Sequence, residues 1–278
     1  GERIMFNNKE EKNSFALYLL FNERPIMNEK KISERIKRIN NDKVEVSPIL
    51  GLNGEEALYC NIIINNEKFK LVGIDSKIPK EISSYTIDCA YGKREELEDM
   101  SRHNYHIIAF YEGMSHDMMH ILNLYCKLSY GFLDYAFVGL ANGYSWNVVT
   151  PSLIQGMAED EKLKEFVNTP AMMIYRNFLK IPYNDGVWFT TKGNNLFGVH
   201  ELAFYGTFEN TQEIYDIFED IFYYIYESNE HIEAGHTIQL GDDIFLKFRE
   251  VYELQDTLEA EGIGTLVIEK INSDEINM

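Results

Sequence analysis

The chain has 278 residues, 45% apolar and 13% aromatic, which is enough to bury a substantial core and too apolar for a disordered protein. Its formal charge is −19, and residues 201–278 hold 19 acids against 3 bases, so the excess is concentrated at one end. A field of that sign repels phosphate, which argues against nonspecific nucleic-acid binding, and it attracts basic surfaces.

The first fourteen residues lack the apolar core of a secretion signal, and no run approaches the roughly 18 apolar residues of a membrane helix. A cytoplasmic protein without a membrane segment is expected, and Gly1 in place of an initiator methionine suggests a processed or cloned start. Cys60, Cys89 and Cys126 are odd in number and widely spaced. Neither a disulfide framework nor a thiolate zinc site follows from them, and they read as small apolar fillers.

Residues 14–21 (SFALYLLF) have strand length, and a helix follows with Asn28 as its cap and Ile32, Ile36 and Ile39 on one face. Three β-rich segments come next: KVEVSPIL, then ALYCNIIIN and KFKLVGID joined across Asn65-Asn66-Glu67 as a hairpin. Pro48 marks an edge or an end. After HIIAFYE at 106–112, a helix is expected from Ser115 to about Tyr130, with Met118, Ile121, Leu122, Tyr125 and Leu128 facing the core. His116, His120, Asn123 and Lys127 share its opposite, solvent side. Residues 135–150 read as a strand or an aromatic loop, and residues 151–180 as helix interrupted at Pro170.

From Gly186 the pattern restarts with VWFTTKG, HELAFYGTF, a helix, and apolar segments near 236–240, 244–254 and 264–270. Asn210 and Glu213 resemble a capping box, and Ile214, Ile217, Phe218, Ile221, Phe222 and Ile225 recur at helical spacing. That reading leaves Asp216, Glu219, Asp220 and Glu227 toward water. The expected fold is α+β, with antiparallel or mixed sheets and packed helices, and the repeated strand-helix-strand grammar is compatible with two similar α/β halves. The expected division is an N-terminal α+β domain (1–150), a helical connector (151–182) and an acidic C-terminal α+β domain (183–278).

Two weak constellations carry chemistry. His116 and His120, four apart on a helix, have the spacing of a zinc pair, and His103 and His106 are near in sequence. Gly113-Met114-Ser115-His116 follows a strand and opens a helix as a nucleophile elbow does, but Asp117 replaces the second glycine. The ordinary alternative is a helix capped by Ser115 with Asp117 in its first turn. Gly193-Asn194-Asn195-Leu196-Phe197-Gly198 lacks the ending of a phosphate loop and reads as a connection between strands, and His200, His231 and His236 as turn residues. No cofactor is implied.

Gly198-Val199-His200-Glu201-Leu202 before the amphipathic helix and Ala234-Gly235-His236-Thr237-Ile238 after it resemble a bacterial family known as domain of unknown function 4261. The family pattern is G-x-x-E-L-E followed by a d-G-d-T-I-like turn. Here Ala203 replaces the second acid, while Ala234 and His236 replace the two aspartates. The resemblance implies a cytoplasmic α+β protein and brings no activity or catalytic residue with it.

The reading favoured by the sequence is a non-enzymatic binding protein whose acidic C-terminal region engages a basic protein partner, for example a toxin that it neutralises as an immunity protein does. Glu219, Asp220, Tyr223, Glu227, Glu230, Glu233, Asp242 and Asp243 are the candidate contact residues. The alternative is a hydrolase using the Ser115, His116 and His120 region.

Overall fold

A computed structural model of the chain describes residues 15–49, 58–165, 174–241 and 243–273. In chain order its elements are β1 (Ala16–Phe21), α1 (Glu29–Asn40), β2 (Val44–Pro48), β3 (Tyr59–Ile64), β4 (Glu67–Ile74), α2 (Lys80–Thr86), α3 (Arg94–Arg102), β5 (Tyr105–Tyr111), α4 (Met118–Gly131), β6 (Phe137–Asn142) and β7 (Asn147–Val149). There follow α5 (Pro151–Glu159), α6 (Lys162–Glu165), β8 (Asn177–Tyr183), β9 (Gly186–Lys192), β10 (Glu201–Gly206), α7 (Thr211–Ser228), β11 (Thr237–Gly241), β12 (Ile244–Arg249), α8 (Gln255–Leu258) and β13 (Thr265–Asn272). Helices and largely antiparallel sheets together make an α+β fold. The chain forms two units, each discontinuous in sequence. The first takes Gly1–Ile78, Arg102–Leu140 and Pro151–Glu165, and the second Pro79–Ser101, Ala141–Thr150 and Phe166–Met278.

In unit 1 the strands follow one another as β2-β3-β4-β5-β1-β6. The β3–β4 hairpin turns on Asn65 and Asn66, at φ 50° and 72°; asparagine tolerates this left-handed backbone, and the turn it makes matches the twist of paired strands. Pro48 ends the outermost strand, where no ladder needs its missing N–H. Asn28 caps α1 by accepting from the Lys31 N–H at 2.9 Å, and Ile32, Ile36 and Ile39 are buried. α1 packs on α4 closely enough that a side chain at Gly131 would overlap Ile36.

The start and the polar side of α4 differ from expectation. Its cap is Asp117, whose carboxylate accepts from the N–H groups of Met119 and His120, and the helix begins at Met118. Asn123 and Lys127 are buried rather than exposed. Lys127 Nζ bonds Asp42 Oδ2 at 2.7 Å, and the other oxygen of Asp42 accepts from Asn65 Nδ2, also at 2.7 Å. Burial on both sides of a helix is invisible to a wheel drawn from one helix alone.

His103 and His106 are interior hydrogen-bonding groups: His103 Nε2 accepts from the Ile78 N–H at 2.9 Å, and His106 Nδ1 donates to the Ser76 carbonyl at 2.7 Å. Burial holds the His106 imidazolium pKa below its ordinary value, and it does the same to His200 in unit 2. A histidine with a depressed folded pKa binds its proton more readily when unfolded, so stability present above about pH 6.5 is lost as pH falls below it. Unfolding midpoints measured down from neutrality should drop through that window, and His106→Gln should flatten the slope.

In unit 2 the strands run β11-β12-β13-β10-β9-β8, antiparallel throughout except for the parallel β10–β13 pair. One face buries Phe189, Leu202, Leu246, Phe248, Leu266 and Ile268. On the opposite face, Trp188, Ala203 and Val267 cluster with Val251 and Leu258. The helical reading of 151–180 fails at its end: β8 begins at Asn177, and its β-rich Asn-Phe-Leu-Lys-Ile pairs with β9. Pro170 lies outside the described residues.

Candidate functional site

α7 is the longest helix of unit 2, and the chain enters it through a tight turn rather than the expected cap. Thr207 and Asn210 exchange the capping contacts, Asn210 Oδ1 accepting from the Thr207 N–H at 3.1 Å, and Asn210 Nδ2 reaches Glu213 at 3.3 Å. Ile214, Ile217, Phe218, Ile221, Phe222 and Ile225 are all buried, as the periodicity predicts. Asn229, at φ 57°, ends the helix.

The outward face divides in two. Asp216, Asp220 and Glu227 are exposed and fall on one stripe by their spacing, with Tyr224 beside them at 53% exposure. Among the described residues none of the three carboxylates has a lysine or arginine partner, whereas Glu213 is paired with Lys270 at 2.7 Å. Glu230, Glu233 and Asp243 are also exposed, on the segments after the helix, and Asp242 lies outside the described residues.

Glu219 is different, and here the expectation of an outward carboxylate is corrected. Its side chain is 18% exposed and pairs with Arg176, whose guanidinium is completely buried. Arg176 Nη1 also donates to Asn194 Oδ1 at 3.0 Å, and the guanidinium lies 3.6 Å from the centre of the Phe222 ring. Burial pushes the Glu219 carboxyl up, opposed by the Arg176 charge; burial likewise pushes Arg176 down, opposed by Glu219. Tyr223, half-buried next to this pair, has its hydroxyl raised by burial and by the Glu219 charge.

Beneath the pair lies a second buried carboxylate. Glu201, 2% exposed, accepts from Thr191 Oγ1 at 2.7 Å, the Gly193 N–H at 2.8 Å and the Asn195 N–H at 3.2 Å. It ties the 193–198 turn to β10. Gly193 is required there: its φ is 107°, and a Cβ would stand 2.6 Å from Ser145 Cβ and 2.8 Å from the Tyr175 carbonyl. Asn194 stands between the two acids, accepting from Arg176 and donating at 2.9 Å to the carbonyl of His200, the residue before Glu201. This network holds the middle of α7, at Glu219 and Phe222, below the acidic stripe. Nothing in the sequence singles out Arg176; Asn194 stands there only within a connection between strands and Glu201 only within a motif.

The histidine and serine candidates lie in unit 1. His116 precedes the helix, so it and His120 do not form a pair on one helical face. Among the described residues no three His, Cys, Asp or Glu side chains are grouped to hold a metal ion. Ser115 Oγ accepts from the Asp117 N–H at 3.1 Å. Its own N–H donates to the Tyr111 hydroxyl at 2.9 Å, and that hydroxyl donates to Glu67 at 2.6 Å. These contacts shape the turn into α4. No helix among the described residues is long and apolar enough to cross a membrane.

The two motifs that suggested a family resemblance, around Glu201 and around His236, bracket α7. Where Ala203 replaces the pattern's second acid, the side chain is buried in the apolar cluster with Trp188 and Val267, so an acid there would be stranded. No curated protein and no solved structure matches the chain. Residues 190–269, running from β9 through α7 into β13, match the family described as Domain of unknown function (DUF4261).

Proposed function

We propose that the protein is a non-enzymatic binding protein whose acidic C-terminal surface engages a basic protein partner, such as a cationic toxin that it neutralises. The carrying observation is the stripe of Asp216, Asp220 and Glu227. These three exposed carboxylates have no cationic partner among the described residues, and they are displayed beside Tyr224 on a helix held at its middle by Arg176. Unneutralised carboxylates raise the encounter rate with a cationic surface, and an exposed tyrosine supplies contact area at small entropic cost. Glu230, Glu233 and Asp243 extend the same field.

Reversing the stripe tests this. Immobilised wild-type protein should retain from a host lysate a basic protein that elutes as salt rises, and the Asp216→Lys/Asp220→Lys/Glu227→Lys variant should lose it. A control carrying Glu23→Lys/Glu81→Lys/Glu95→Lys has the same net charge and should keep it. Equal loss in both variants would mean that only total charge matters and that the stripe is not a binding surface.

A further inference from the structure

We infer that His103 is a pH-sensitive latch on the crossing where the chain leaves unit 1 after Ile78 and returns to it at Arg102. β4 ends at Ile74 and the final pair of its ladder with β5 is Ile74↔His106, so residues 75–78 lead out of the sheet beside residues 102–104, which lead back in. The residues between, 79–101, carry α2 and all but the last residue of α3 and belong to unit 2. Two histidines of the returning leg hold the outgoing one: His103 Nε2 accepts from the Ile78 N–H at 2.9 Å, and His106 Nδ1 donates to the Ser76 carbonyl at 2.7 Å. Ile78 and both imidazoles are buried.

A proton acts differently on the two bonds. A backbone N–H can only donate, so His103 Nε2 must offer a lone pair, and protonating it sets two donors against each other. His106 donates from Nδ1, as an imidazolium does equally well, so its protonation leaves the bond to Ser76 in place. The charged groups on the elements that meet here give a His103 imidazolium no net counter-charge. Glu23, Asp75 and Asp99 are balanced by Arg24, Lys77 and Arg102, and Lys80 and Glu81 at the start of α2 cancel. Glu98 is paired with Arg94, and Glu95 and Glu96 lie about two turns back along α3. Arg24 follows β1, whose Phe21 carbonyl accepts from the Asn104 N–H, and the charges of Arg24 and Asp75 both reach the Tyr105 hydroxyl. Tyr18 of β1, the ring beside His106 at 6.0 Å between centres, is uncharged. The closed crossing therefore binds this proton more weakly than the open one. It holds above the ordinary histidine value of about 6.5 and loosens as pH falls below it, by about tenfold one pH unit further down.

Hydrogen exchange of the full chain at about pH 7.5 and about pH 5.5, corrected for the intrinsic pH dependence of exchange, tests this. The expected result is a gain in opening of about tenfold at residues 76–78 at the lower pH, exceeding any change in α1. His103→Gln keeps an acceptor for the Ile78 N–H and cannot titrate, so it should abolish the gain, whereas His106→Gln should keep it. Opening that ignores pH, that occurs equally in α1, or that survives His103→Gln overturns the inference. Should His103→Gln fail to fold, the His103 ring followed by NMR in the wild-type chain decides. It should stay neutral well below about pH 6, and titration at about 6.5 overturns the latch.

Discussion

Replacing Lys127 with methionine should destabilise unit 1 by about 3–5 kcal/mol, the cost of leaving one partner of a buried ion pair uncompensated. Both side chains are almost fully enclosed, 8% exposed for Lys127 and 3% for Asp42, and Nζ lies 2.7 Å from the carboxylate. Asn65 gives Asp42 one further hydrogen bond, which cannot replace a charge. The effect belongs to the orphaned aspartate more than to the lost attraction. Replacing both partners, Lys127→Met with Asp42→Leu, should therefore recover most of the loss, since apolar substitutes of similar volume often equal a buried pair. Urea unfolding of the two single variants and the double variant would show the coupling; additive losses would contradict it.

Replacing Arg176 with methionine should cost unit 2 about 3 kcal/mol, at the low end of the same range because Glu219 keeps some access to water. Asn194 would lose a donor at the same time, and Phe222 the cation on its face. Arg176→Lys keeps the charge but not the planar fork that reaches Asn194 and Glu219 together, so about 1–2 kcal/mol should remain lost. Glu219→Gln in the methionine variant should restore part of the stability. Because this cluster anchors α7, Arg176→Met should also raise amide exchange along the helix before it affects unit 1. Unchanged exchange in α7 would show that the pair does not support it.

The elements with a clear apolar run or period were legible in the sequence. β1 follows from an apolar run of strand length, and α1, the β3–β4 hairpin and the apolar face of α7 each follow from a local period and a cap or turn residue. What could not be read was the far side of those elements. Lys127 and Asn123 occupy positions that a single wheel assigns to water, and only the packing of α1, α5 and α6 around α4 shows otherwise. Glu219 shares the polar half of α7 with Asp220, but its partner is 43 residues away, just before β8, in a segment whose local pattern suggests helix. Ser115 and Asp117 are both good caps, and local pattern does not choose between them. Glu201 was visible through its motif, but its burial was not, because an acid at a strand start is ordinarily solvated. The acidic stripe itself was legible for the opposite reason: Asp216, Asp220 and Glu227 have no distant partner to reveal.

The most direct measurement is site-specific photo-cross-linking from position 224, with a photoreactive residue in place of Tyr224, in the protein's own host. A basic protein should be trapped there, and the adduct should disappear when Asp216, Asp220 and Glu227 are reversed to lysine. No adduct from position 224 while the same probe at the exposed Tyr85 yields one, or an adduct with an acidic protein, would contradict a binding role for this face.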